Sequence, residues 1–268
     1  GMMLIGACTG FIAGNSFGSP WAGVAAAVVA GALLALIHAF LTVTLRANQV
    51  VSGLAVTLFG TGLSGYLGQD YVGQPAGAVF GKIAVPLLSD IPIIGSILFK
   101  QDALVYISYF LVPLAAWYFY KTRSGLFLRA MGENPAAVDA AGINVFGLRY
   151  LYIVVGGALA GVAGAYLSLA YAPSWLENMT AGRGWIAVAL VIFALWDPWR
   201  AMAGSYLFGG IDALGFNLQV LGVPVSGFIL NMLPYIFTVL VLVLVLKRRG
   251  GRSASPQALG LSYDREER

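Results

Sequence analysis

Charge is what this sequence has least of. Of its 268 residues only 10% are Asp, Glu, Lys or Arg, while 59% are hydrophobic. Soluble domains carry about 25% charged residues, so a water-soluble fold is excluded, and a mean hydropathy of +0.84 says the same. Cysteine occurs once, at Cys8, which excludes an intrachain disulfide and leaves a small apolar-run residue. Histidine also occurs once. A metal centre needs several ligands, so His38 is read as a hydrogen-bonded interior residue, with no metal site and no catalytic residues in the chain. Paired acids are missing from the apolar runs, and with them the constellation an intramembrane enzyme needs. A nucleotide site is missing too. Gly77–Ile83 has a glycine-lysine pattern, but the spacing is one residue short, and Ile83 stands where Ser or Thr must hold magnesium. The net charge of +4 is no nucleic-acid footprint in such a chain, because its distribution reports membrane topology instead.

What is there is a series of apolar segments. They run over 1–14, 21–45, 50–68, 103–120, 148–171, 184–196, 201–219 and 228–246. The expected fold class is all-α: a polytopic integral membrane protein with about eight membrane segments, lacking an N-terminal span. It is read as a single transmembrane domain over 1–268. The segment at 184–196 is short for a bilayer, whose core needs about 20 helical residues. The connector 69–101 holds Pro75, Pro86 and Pro92, and its apolar part, 83–99, is expected as one interfacial or re-entrant piece. Residues 196–200 are expected as a tight turn, and Pro234 as a kink in the last span.

Two polar features stand out within the spans. The segment 50–68 carries Ser52, Thr57 and Thr61 among several glycines, directly after Asn48 and Gln49. Hydroxyls and glycines there suit either tight helix packing or a water-filled path. The second feature is Asp212, the one acid inside a span, with Asn217 and Asn231 further along. A carboxylate at mid-bilayer costs on the order of 3 kcal/mol, which makes it a functional candidate by default. With no cationic or histidine partner in sight it is a poor proton relay, and a water-reached position near an outer mouth is the preferred reading.

The longest polar interruption is 121–149. Within it Asn134 is an N-cap candidate and Pro135 suits the first helical position. Residues 136–141 propagate a helix, which Gly142 can end in the left-handed conformation. A short, alanine-surfaced helix over 135–141 follows. From capping signals alone it is either a stiff connector or a piece that inserts into a groove on another protein.

Here the residues carry a resemblance. Arg129–Ala137 (RAMGENPAA), with Ala140-Ala141-Gly142-Ile143, resembles the cytoplasmic coupling loop of ABC-importer permeases of the simple-sugar, nucleoside and branched-chain amino-acid group. Arg46–Ala55 (RANQVVSGLA) is similar to the membrane motif of the sugar and nucleoside branch. Ala258–Glu266 (ALGLSYDRE) resembles the end of nucleoside-type permeases, with Ser262 where the pattern often has proline.

The resemblance implies a permease subunit that carries a polar neutral solute inward, nucleoside first, simple sugar second and branched-chain amino acid third. It implies that Gly132, Glu133, Asn134, Pro135, Ala136, Ala137, Ala140, Gly142 and Ile143 dock on a separate ATP-binding subunit. That partner would hold ATP and Mg, so the chain itself needs no cofactor. A second permease subunit and an extracytoplasmic solute-binding protein would complete the assembly in the lipid bilayer. The pathway candidates are Asn48, Gln49, Ser52, Thr57, Thr61, Asp212 and Asn217. The competing class is an ion-coupled secondary transporter working through Asp212. Charge bias gives the topology. If 121–149 and the tail, 247–268, are cytoplasmic, 12 of the 15 Lys and Arg residues lie inside, and only Lys82, Lys100 and Arg183 lie outside. The expected location is the bacterial cytoplasmic membrane with the C-terminus inside.

Overall fold

The computed structural model describes residues 1–89, 91, 94–220 and 255–265, with single positions between 232 and 243. Apart from those single positions, the expected last span, 228–246, lies outside the described residues, as do Asn231, Pro234 and the basic cluster after them.

The described chain is helical. Its elements are α1 Met2–Phe17, α2 Pro20–Ala39, α3 Gln49–Gly68, β1 Ile83–Ala84, α4 Ile94–Leu98, β2 Lys100–Gln101, α5 Ala103–Lys121, α6 Arg123–Glu133, α7 Pro135–Ala140, α8 Val145–Tyr166, α9 Arg183–Ala194 and α10 Pro198–Val220. Wide π-helical turns extend α2 over Phe40–Thr44 and α8 over Leu167–Tyr171. Counting these and the 3-10 turn Gln69–Tyr71 after α3, four helices among the described residues are long and apolar enough to cross a membrane: Pro20–Thr44, Gln49–Tyr71, Ala103–Lys121 and Val145–Tyr171. The 25 residues of the first span about 38 Å at 1.5 Å per residue. Helix α9, with 12 residues, reaches only about 18 Å.

The chain divides into two compact units. One comprises 1–109, 134–181 and 260–268, and the other 110–133 and 182–259.

In the first unit α1, α2 and α8 pack through their glycines. A methyl group built on Gly6 would stand 2.6 Å from the Gly161 Cα, and one on Gly10 3.4 Å from the Gly23 carbonyl oxygen. Gly161 in turn abuts the Ala27 carbonyl, and Gly164 the Met3 carbonyl. Such close approach is how membrane helices gain dispersion energy where lipid tails remove the hydrophobic incentive. Polar side chains stitch the seams. The buried Ser168 hydroxyl donates to the Ala7 carbonyl at 2.8 Å, and the Cys8 thiol to the Ser64 carbonyl at 3.4 Å. Leu4, Ala7, Cys8 and Phe11 enclose Trp175, which is fully buried. Large apolar side chains on the outer faces are exposed, Val50 at 81% for example, as a lipid-facing surface requires.

Within the connector after α3, the apolar part expected as an interfacial or re-entrant piece is bracketed by a short strand pairing. Ile83–Ala84 pairs antiparallel with Lys100–Gln101, and among the described residues between them Ile94–Leu98 is helical. Asp102 then caps α5, accepting from the Leu104 and Val105 amides. The earlier part of the connector, near Val72–Pro75, bridges to Ser174 and Trp175.

In the second unit α6 is a helix within the polar interruption 121–149. Thr122 starts it: its hydroxyl accepts from the Gly125 amide at 3.0 Å and donates back to the Tyr118 carbonyl at 2.6 Å. Gly125 lies so close to Tyr118 and Phe119 that a side chain would collide. The turn expected at 196–200 falls earlier. Leu195 and Trp196 take left-handed conformations, and Asp197 caps α10 by accepting from the Arg200 amide, so Pro198 already begins the helix. That amide bond, more than any other contact, holds the Asp197 carboxyl below its ordinary range.

Candidate coupling site

Helix α7 is short, and both of its ends are closed by designated groups. At the start the Asn134 side chain accepts from the Ala137 amide at 3.1 Å, with Pro135 at the first position. At the end Gly142 sits at φ +81°, its amide donates to the Asp139 carbonyl and the Ile143 amide to the Val138 carbonyl. This is the paired 5→2 and 6→1 pattern of a glycine stop. The helix ends at Ala140, one residue sooner than its expected limit, because those bonds already turn the chain at Ala141. Asn144 then caps α8 through the Gly147 amide at 3.0 Å.

The caps set which side chains face out. Val138 points inward and is buried, whereas Ala137, Ala140, Ala141 and Gly142 are exposed, and Pro135, Ala136 and Ile143 are half-buried. The outward face is therefore small and nearly flat. Gly132 and Glu133 end α6 and belong to the second unit. There the Gly132 carbonyl accepts from the Ala258 amide at 2.9 Å, and Glu133 accepts from the Gln257 amide at 3.4 Å.

Sequence reasoning missed the groups that hold α7 from the side. Asp139 accepts a two-pronged interaction from Arg265, at 2.6 Å from Nη2 and 3.0–3.1 Å from Nε, and another bond from the Tyr263 hydroxyl at 3.0 Å. Tyr263 is buried, packs on Phe146 at 5.8 Å and lies under the Arg149 guanidinium at 6.0 Å. Arg149 also donates to the Leu261 carbonyl at 3.1 Å. Asp264 pairs with Arg46, which follows the α2 extension in a left-handed conformation at φ +54°. The paired carboxylate of Asp139, its first and largest cause being the hydrogen bond, raises the Arg265 guanidinium above its ordinary value. Residues 46, 139 and 263–265, in or beside the three stretches that carried the resemblance, thus meet within the first unit. No single stretch could signal this, because the contacts join residues 218 and 126 positions apart.

Of the pathway candidates, Asn48, Gln49, Ser52, Thr57 and Thr61 lie in the first unit, and Asp212 and Asn217 in the second. Asn48 is exposed and caps α3, accepting from the Val50 and Val51 amides, and Gln49 is the first residue of that helix. Ser52 is 5% exposed and lies 2.9 Å from His38 Nδ1, on the packed seam Ser52, Val56, Gly60, Ser64 and Gly68. Thr57 and Thr61 sit off that seam, and each donates to its own helix, to the Gly53 and Thr57 carbonyls at 2.9 Å. Asn217 lies in α10, and its side chain is outside the described residues. Asp212 corrects the reading of a partnerless acid: Arg183 at the start of α9 reaches it at 3.4 Å, with both side chains partly exposed. The pairing was invisible in the sequence because 29 residues separate the two. A groove of about 560 Å³ between α1 and α2 is lined by Ala13, Ala22, Ala26, Val29 and Thr9, and the Thr9 hydroxyl is spent on the Ile5 carbonyl. It offers a polar solute almost nothing.

A profile of the permease component of branched-chain amino acid transport systems matches residues 1–246. The chain belongs to that permease family. It is therefore a permease subunit and a multi-pass membrane protein. Three relatives cover almost all of it. TsgC13 of Haloferax volcanii, which carries the name of a glucose ABC transporter permease, is 39% identical over 99% of this chain and 88% of its own length. The nucleoside ABC transporter permease NupC of Lactococcus lactis is 38% identical over 98% of this chain and 86% of its own. The guanosine ABC transporter permease NupQ of Bacillus subtilis is 33% identical over 98% and 85%. No solved structure matches the chain.

Proposed function

We propose that this permease is the membrane half of an ABC importer that moves a neutral polar solute into the cell, with nucleoside as the first substrate class. The observation that carries the reading is α7: a doubly capped helix with an exposed face of alanine and glycine, on a chain whose relatives are named ABC permeases. Such a face has little bulk of its own to bury, and fits a groove on an ATP-binding subunit. Gly132–Ile143 is the docking segment in this reading, with Glu133 and Gly142 its most sensitive positions. ATP and Mg belong to the partner. A ligand moves a conformational equilibrium only by its differential affinity for the two states, so ATP-driven closure of the partner would bias the spans through α7. By reciprocity, solute delivered by an extracytoplasmic binding protein would alter the partner's affinity for ATP. A second permease subunit completes the pathway, the segments number about eight, and the C-terminus is cytoplasmic.

Simple sugars are the second substrate reading, favoured by the 39% identity to the relative named for glucose. The ion-coupled alternative works through Asp212, which pairs with Arg183 at 3.4 Å; it requires that Asp212→Asn abolish transport, whereas the importer reading has that change tolerated. The test is reconstitution of the full complex with its ATPase and binding-protein subunits, followed by a screen of nucleosides and simple sugars for stimulated ATP turnover. Stimulation by nucleosides is the expected result. Stimulation by sugars alone would replace the substrate, and solute movement by the lone chain down an ion gradient would replace the mechanism.

A further inference from the structure

The tail residues Gly260–Arg265 touch two places of different character in the first unit. Tyr263 and Arg265 hold Asp139 on α7, and Asp264 pairs with Arg46 at the turn that leads into α3. The acids are the hidden partners: the Asp139 and Asp264 side chains are 6% and 16% exposed, against 57% and 48% for their arginines. Each carboxylate is thus largely withdrawn from water and satisfied by the clasp, and an unpaired carboxylate there would be unfavourable. The aromatic ring of Tyr263 fills the space between, against Phe146 and beneath Arg149. Asp139 would otherwise be one of the polar groups α7 offers a partner. Held by Arg265 and Tyr263, it is an internal anchor.

We propose that Gly260–Arg265 is a strut tying the coupling helix α7 to the turn before α3, which makes Tyr263, Asp264 and Arg265 positioning residues for energy coupling. The strut rests on the importer reading above. It sets the angle at which α7 meets the ATP-binding subunit, and it carries a displacement of α7 to the start of a membrane helix. Its polar links suit that use, because ion pairs with exposed arginines can re-form after a shift of an ångström or two, whereas an interdigitated apolar contact cannot.

The Arg46–Asp264 pair gives the cleanest test. In the reconstituted complex, Arg46→Asp and Asp264→Arg should each lower the ratio of solute-stimulated to basal ATP turnover at least about fivefold, the low end of measured couplings. The double exchange Arg46→Asp with Asp264→Arg should regain most of that ratio. Aspartate is also tolerated at the left-handed backbone of position 46. Hydrogen exchange at the amides of 135–143 should quicken in the single variants and slow again in the double one, a readout independent of the ATPase. Should a reversal fail to accumulate in the membrane, Tyr263→Phe removes one hydroxyl and leaves the ring. It should quicken exchange at 135–143 and lower the stimulated ratio more mildly. Unchanged turnover and exchange in all variants, with a wild type that responds to solute, overturns the strut and leaves the importer standing. Loss in the single variants without recovery in the double overturns the pairing as the acting contact. A wild type that retains no ATP-binding subunit overturns both readings together.

Discussion

Helices α1, α2 and α8 and the short helix α7 are built from the same small residues and use them in opposite ways. In the three-helix core, glycines bring backbones together until no methyl group fits, as at Gly6 against Gly161. On α7 Ala137 and Ala140 are exposed, while the helix is held by Asn134, Gly142 and the Asp139 clasp. Packing by exclusion admits one arrangement, because any shift opens a void or a collision. Holding by caps and ion pairs permits a small rotation without loss of every contact. A membrane protein that works by moving needs both, the first as frame and the second as handle.

That contrast breaks most easily in the frame. Gly161→Leu should drive a side chain into the Ala27 carbonyl and cost about 3 kcal/mol, the upper range for overpacking. The expected outcome is a sharp loss of folded protein in detergent, measured by thermal melting or by monodisperse yield. The handle should respond differently. Gly142→Val forces a β-branched residue into φ +81°, at a cost of about 2 kcal/mol. Most of that should appear as lost ATPase-subunit retention, with the melting temperature of the frame nearly unchanged. Asn134→Ala removes one cap at about 1 kcal/mol. It should show as faster amide exchange over 135–140 and a partial loss of stimulated turnover, whereas Asn134→Ser should retain both.

The smallest effect concerns Asp197, which caps α10 with a carboxyl held below its ordinary range. A depressed acid lends stability at pH above its unfolded value, and that contribution disappears as pH falls through the folded one. Acidification below the usual carboxylate range should therefore loosen the start of α10, seen as quicker exchange at Arg200 and Ala201. Asp197→Asn should remove the pH dependence.

Much of the frame was legible along the chain. Runs such as 21–45 and 148–171 announced themselves by length and composition, and the α7 caps by Asn134-Pro135 and Gly142, since each depends on residues a few positions apart. The helix α6 was hidden because its start signal, Thr122, lies one residue past a span and its pattern is amphipathic rather than apolar. The hairpin 83–101 was hidden because two-residue strands have no period to read. Asp212 was judged alone because Arg183 stands in another segment.

By itself, then, the sequence determined that this is a helical membrane protein with one organised polar loop, and it marked that loop's short helix residue by residue. Those features follow from hydropathy and from capping, which are local. Tertiary structure alone decided that Ser52 packs against His38, that Asp212 has a cation beside it, and that residues 46, 139 and 263–265 come together. Each of these is a contact between charged or hydroxyl groups far apart in the chain. Such groups carry no periodicity, and only the packing of the spans brings them within hydrogen-bonding reach.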